Sequence, residues 1–234
     1  MARSSFIDLD IYPPFEGFPK EGIAFLKRLK RNNHRVWFGD HKAEYESFVK
    51  LPMQSLIAAL KPRITQFAPD IYVDPRRSMF RIYRDTRFSQ DKTPYKTHVA
   101  AIFHPRGRWR ESAGLYLEIA PRYVGLAGGI YMPESAQLKL IRKAIAERSE
   151  EFLAIVEEKN FRKLFGGLEG NTLQRVPQGY PADHPVAKWL KYKQLYLYVE
   201  WPESKCYGQN FVDEVIKVFQ EMMPLVRFLN EAVD

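Results

Sequence analysis

The run AGLYLEIAPRYVGLAGGIYMP, Ala113 to Pro133, decides the fold class. Side chains alternate along an extended chain, so Leu115, Leu117 and Ile119 share one face while Tyr116 and Glu118 share the other. From Arg122 a second run, rich in aliphatic and aromatic residues, follows after too short a connection for the crossover that parallel neighbours need. The two runs are therefore predicted as antiparallel strands. Upstream, THVAAIFHP (97–105) is apolar in both alternation sets, Val99/Ala101/Phe103 and Ala100/Ile102, which marks a central strand covered on both faces. SMFRIYRD (78–85) predicts another strand and QLYLYVEW (194–201) a fifth, each bounded by turn-forming or charged residues.

Both ends of the chain read as helical. Ile23, Leu26 and Leu29 recur at helical spacing before Asn32-Asn33. Asn33 then stands as an N-cap for a stripe of Trp37, Phe38, His41, Tyr45 and Phe48 that Pro52 should stop. Met53, Leu56, Ile57, Leu60 and Ile64 predict a third helix, shortened or kinked at Pro62. After the strands, helices are expected from Glu134 and from Ser149, in a short turn capped by Asn160 that ends at Gly166-Gly167, and after Pro185. A terminal helix carries Phe211, Val215, Phe219, Met222, Val226 and Leu229 on one face, with a bend expected at Pro224. The expectation is α+β: a single antiparallel sheet of about four to five strands, with helices from both chain ends packed on it. No repeat or linker divides the 234 residues, so they are read as one domain.

No stretch reaches the ~18 uninterrupted apolar residues of a spanning helix, and the first fifteen residues lack the apolar core of a secretory signal. A cytoplasmic protein without membrane contact is expected. The single cysteine, Cys206, excludes an internal disulfide and a Cys-based metal site, and is read as a buried free thiol. No zincin, zinc-ribbon, P-loop or α/β-hydrolase motif occurs, so no metal and no cofactor is expected.

The net charge of +8 has one source. Between Arg76 and Arg110 ten cations (Arg76, Arg77, Arg81, Arg84, Arg87, Lys92, Lys96, Arg106, Arg108 and Arg110) face two carboxylates, Asp85 and Asp91, while the rest of the chain holds 26 of each sign. Such a concentration creates a local field that attracts anions. Within FRIYRDTRFSQDKTPYKTH (80–98), Arg81 and Tyr83 share a strand face that Tyr116 and Glu118 can extend. The following turn carries Arg84, Arg87, Lys92, Tyr95 and Lys96. Arg forks and Lys ammonium groups suit phosphate or carboxylate, hydroxyls supply further donors, and Asp85 and Asp91 can orient the cations. The alternative is a set of solvated pairs worth ~0 to 1 kcal/mol each.

FLKRLKRNNHRVWFGDHKAEYE, the 80–98 run, GLYLEIAP and GGIYMPE resemble, in order and spacing, the family designated domain of unknown function 2461. The resemblance covers about residues 18–230. Its most specific element is R-x-x-R-D-x-R-F-S-x-D-K-x-P-Y-K, present as Arg81, Arg84, Asp85, Arg87, Phe88, Ser89, Asp91, Lys92, Pro94, Tyr95 and Lys96. It implies a single α+β domain and a signature segment, and names no substrate. At His98 the chain departs from the small or amide residues of the family pattern.

Three functions of different kinds use this segment. A small phosphorylated or carboxylated ligand would sit on the polar sheet face and loop, with Tyr83, Tyr95, His98 or Glu118 available for proton transfer. A structural charge network or protein-docking surface would use the same pairs internally. A nucleic acid would place phosphates on the cations and stack bases on Tyr83, Phe88, Tyr95 or Trp109. His41 lies on an apolar stripe and is read as packed and hydrogen-bonded. Gly128 and Gly129, inside a strand pattern, mark a bulge or a close approach that could admit a ligand.

Overall fold

The computed structural model describes residues 12–105 and 111–234. Arg106, Arg108, Trp109 and Arg110, named above for charge and stacking, lie outside the described residues. The chain is α+β, with one antiparallel sheet of five strands in sequential order: β1 (Ile71–Tyr72), β2 (Val99–Pro105), β3 (Gly114–Ile119), β4 (Tyr123–Ile130) and β5 (Leu195–Pro202). In β3 Leu115, Leu117 and Ile119 are buried, while Tyr116 and Glu118 are half-exposed, as the alternation requires.

The strand predicted over Ser78–Asp85 does not form. Its place is taken by two single antiparallel bridges, Met79 to Ala101 and Tyr83 to Tyr95. Three residues separate the bridges on one side and five on the other, so a continuous ladder cannot run between them. The edge strand is instead the two-residue β1.

The chain groups into two compact units: Met1–Ile102 with Tyr116–Gly125 and Glu200–Ile216, and Phe103–Leu115 with Leu126–Val199 and Lys217–Asp234. In the first, α1 (Lys20–Arg31) buries Ile23, Phe25, Leu26 and Leu29 and ends at Asn32, whose N–H returns to Arg28 O. The Phe25 ring meets Trp37, Phe38 and Tyr45 at centroid distances of 5.7, 6.4 and 6.1 Å. His34, not Asn33, caps α2 (Arg35–Asp40), accepting from Trp37 N through Nδ1. His41, packed as expected, stacks on Trp37 at 4.1 Å and bonds Trp37 O at 2.8 Å.

Pro52 does not stop the helical path. After α3 (Lys42–Tyr45) a π-helical turn, Glu46–Lys50, leads into α4 (Leu51–Phe67). Leu51 N bonds Glu46 O, five residues back, and Pro52, lacking an N–H, sits in the first turn of α4, where that donor is dispensable. Phe48 O lies where a side chain on Gly22 would be, so glycine lets α1 approach this turn closely. Pro62 lies inside α4 without ending it.

In the second unit the helices are α5 (Ser135–Glu147), capped reciprocally by Glu134 and Gln137, α6 (Ser149–Val156), α7 (Lys159–Phe165) and α8 (Ala187–Leu190). Glu158, rather than Asn160, caps α7 by accepting from Phe161 N, and Gly166 closes it at φ 71°. The terminal helix α9 (Phe211–Val233) continues through Pro224, and its six predicted core residues are all fully buried. Within this unit Phe219 packs on Phe103, and Phe228 on Phe152. Each such side chain stabilises the fold by about 1.5–3 kcal/mol relative to exposure.

Candidate functional site

Every residue of the basic segment named above as ligand-binding, orienting or proton-transferring lies in the first unit when described, together with Tyr116 and Glu118. The loop from Arg84 to Pro94 is braced by its own charges. Asp85 accepts from Arg87 three times: from the backbone N at 3.2 Å, Nε at 3.0 Å and Nη2 at 2.7 Å. Arg84 Nη1 donates to both Asp91 Oδ2 and Thr93 Oγ1, while Asp91 Oδ1 accepts from Thr93 N at 2.9 Å. Lys92 Nζ donates to Thr86 O at 3.0 Å. These contacts hold both carboxyls low, at about 2: Arg87 does so for Asp85, and the Thr93 amide, followed by Arg84, for Asp91. At the loop tip Phe88 is 94% exposed, with the Arg87 guanidinium 5.8 Å from its ring.

The base of the loop is fixed from the helical side. Tyr95 N donates to Asn33 Oδ1 at 3.0 Å, and Asn33 Nδ2 donates back to Tyr95 O at 2.9 Å. The Tyr95 ring, buried, stacks on Phe38 at 4.1 Å and meets the exposed Tyr83 at 5.4 Å. Tyr95 is therefore an anchor, and burial raises its phenol above the ordinary value.

Arg81 and Lys96 form a second group. Lys96 Nζ donates to Arg81 O at 2.9 Å and lies 5.0 Å from the centroid of the Phe80 ring. Among the described residues neither side chain has a carboxylate partner within ion-pair distance. Burial first, then the Arg81 charge, lowers the Lys96 ammonium from its usual value. Beside them His98 Nε2 stands 3.8 Å from Glu118 Oε2, the oxygen that also accepts from Tyr116 OH at 2.7 Å. Burial is the main cause that lowers His98; Glu118 opposes it and Lys96 reinforces it. Tyr123 also bonds Glu118, and burial together with that carboxylate lifts its phenol to about 12.

Two sets of contacts can be distinguished within the segment, linked by the charge of Arg81 acting on Asp85. Arg84, Arg87, Lys92, Asp85 and Asp91 build the loop, whereas Arg81, Lys96, His98, Tyr116 and Glu118 share the neighbourhood of Phe80 and β3. Gly129 belongs to the second unit, at φ 134°, and its missing Cβ makes room for Leu195 O and Tyr196 of β5, so the close approach there is by the protein's own chain. Asn33, Thr93 and Tyr123 were not singled out as site residues. Asn33 looked like a cap, because Asn in front of an apolar helix face is a good one. An open depression of about 580 Å³ in the first unit is lined by Tyr12, Lys50, Leu51, Gln54 and Arg76, none of which was predicted for a ligand site. Among the described residues no group of three or more His, Cys, Asp or Glu side chains is placed to hold a metal ion, and no helix is long and apolar enough to cross a membrane.

Residues 21–228 match the family model described as conserved hypothetical protein (DUF2461). The chain belongs to this family. The DUF2461 match includes Asn33, the braced loop and the Arg81–Lys96 group, and its description names no activity. No curated protein and no solved structure matches the chain.

Proposed function

We propose that this DUF2461 protein binds a small phosphorylated or carboxylated anion beside β3, through Arg81 and Lys96. The observation that carries this reading is the sorting of charge among the described residues: Arg84 and Arg87 have carboxylates within ion-pair distance, while Lys96 is fixed on Arg81 O and neither it nor Arg81, which reaches Asp85 only at longer range, has one. Two like charges kept close, one of them half-buried, repel each other, and a bound anion would remove that repulsion. Arg84, Arg87, Lys92 and Tyr95 support the ligand indirectly, by fixing the loop that leads to Lys96. A cytoplasmic setting is part of this reading.

The test is thermal unfolding of the wild type, Arg81→Met and Lys96→Met with phosphate, oxalate and citrate, against chloride at matched ionic strength. A ligand at a hundredfold excess over its Kd adds about 2.7 kcal/mol, roughly 5–10 °C for a chain of this size. Wild type should gain this shift with at least one anion, and either substitution should remove it. A shift that survives both substitutions, or none in the wild type, refutes the reading.

A docking role is the second reading, and it rests on Phe88. A fully projecting aromatic ring on a loop braced by three charge contacts resembles the anchors that dominate protein interfaces. Nucleic acid is the weaker fit, because two of the loop's three cations, Arg84 and Arg87, are already paired with Asp91 and Asp85.

A further inference from the structure

We propose that Lys96 forms a Schiff base with a carbonyl compound that also carries a carboxylate or phosphate, with His98 as the proton carrier. This rests on the anion-binding reading and names the substrate class for the same site.

Imine formation requires an unprotonated amine that is held in place, an anchor for the substrate and a group that moves protons between nitrogen and oxygen. Lys96 meets the first requirement by position. Its Nζ lies over the Phe80 ring, 5.0 Å from the centroid, and is fixed by Arg81 O at 2.9 Å, and among the described residues no carboxylate within ion-pair distance pins it as an ammonium. A lysine that is desolvated and set beside another cation is the standard arrangement for such a nucleophile, and the lowered ammonium agrees with it. Lys92, four residues away, is exposed and tied to Thr86 O in the loop, so it serves as an internal comparison.

Arg81 supplies the anchor. Its exposed guanidinium has no ion pair among the described residues and can take a carboxylate or phosphate by two parallel bonds. His98 supplies the proton path, with Glu118 behind it at 3.8 Å and Tyr116 fixing the same carboxylate oxygen. The step balances without an oxidant or reductant. The neutral amine adds to the carbonyl carbon, forming a C–N bond as the C=O π bond opens. His98 carries one N–H proton to the oxygen; the C–O bond then breaks, and the second N–H proton leaves with the oxygen as water.

The test uses glyoxylate and glycolaldehyde phosphate as anionic probes and glycolaldehyde as the neutral one, each trapped with cyanoborohydride and mapped by peptide mass spectrometry. With both anionic probes Lys96 should be modified at least tenfold faster than Lys92, and with the neutral probe that preference should vanish. Modification by only one anionic probe identifies the anchor group as carboxylate or phosphate and still supports the proposal. Arg81→Met should cut the Lys96 rate at least tenfold. His98→Gln should slow trapping while leaving the thermal shift with phosphate or oxalate intact. Lys96→Arg retains the charge and should melt like the wild type while losing the adduct. Equal labelling of Lys92 and Lys96, or equal trapping of the neutral aldehyde at Lys96, overturns the proposal. If phosphate, oxalate or citrate still stabilises the protein, the Schiff base alone fails; if none of them does, the binding reading fails with it.

Discussion

Asn33→Ala should be among the most damaging single polar substitutions in the first unit. Asn33 exchanges two hydrogen bonds with the backbone of Tyr95, a residue only 5% exposed, across 62 positions of sequence. Truncation leaves a buried N–H and a buried C=O without these partners, each costing about 1–3 kcal/mol; with water reaching one of them, a loss of about 2–4 kcal/mol is expected. Urea unfolding should show a lower midpoint with an unchanged slope, because the surface exposed on unfolding is the same. Asn33→Asp separates donor from acceptor. It keeps the oxygen that serves Tyr95 N, but at neutral pH it turns a second bare oxygen towards Tyr95 O, so it should cost at least as much as alanine. Acidification protonates the introduced carboxylate and restores a donor, so part of the loss should return as pH falls. A cost below about 0.5 kcal/mol for alanine, or an aspartate variant as stable as wild type at pH 7, would refute the reciprocal clamp.

Gly22→Ala should destabilise by about 1–3 kcal/mol in a thermal melt, despite the roughly 1 kcal/mol that alanine contributes inside a helix, because its Cβ would overlap Phe48 O. Asp85 and Asp91, held at about 2, should keep the loop braced as pH falls through 4 and release it only near pH 2, since a depressed carboxyl stabilises above its unfolded value and loses that contribution through its folded one; carboxyl NMR titration midpoints near 3.8 would contradict this. Cys206 is fully buried and burial pushes its thiol to about 12, so a disulfide reagent at pH 8 should react only at the rate of unfolding.

Strand β3 was legible because a period of two survives in the sequence wherever one face is buried, and β2 because both of its alternation sets are apolar. The Ser78–Asp85 segment has the same period yet forms only two bridges. The cause lies in its partner, where two extra residues between Tyr95 and Ala101 break the register, and register between segments is not written in either one alone. The helix through Pro52 was missed for a related reason: a missing donor reads as a stop, but one π turn places the proline where no donor is needed. In the site, the i,i+2 pair of Asp85 and Arg87 is visible from spacing. The Arg84–Asp91 pair requires the loop to close, and the Asn33–Tyr95 clamp requires the helices to be docked. Sequence therefore located the segment and left open which of its cations are neutralised.

That division decides what the segment can do. A charge network built only for stability would give each cation a carboxylate, and the loop does this for Arg84 and Arg87. Around Phe80 the opposite holds: Glu118 is committed to Tyr116, Tyr123 and His98, Asp85 is engaged by Arg87 and feels Arg81 only at longer range, and Lys96 beside Arg81 has a backbone carbonyl and, among the described residues, no carboxylate. Tolerating the repulsion between these two cations costs stability in the free protein, and under the proposed anion binding a ligand at Arg81 and Lys96 would recover that cost. The loop network explains how this arrangement persists, since the contacts within Arg84 to Thr93 and the clamp at Tyr95 fix the chain on either side and leave Lys96 little freedom to swing away into water. Arg84 and Arg87, neutralised by Asp91 and Asp85, supply rigidity, and in the proposed function Arg81 and Lys96 would supply attraction.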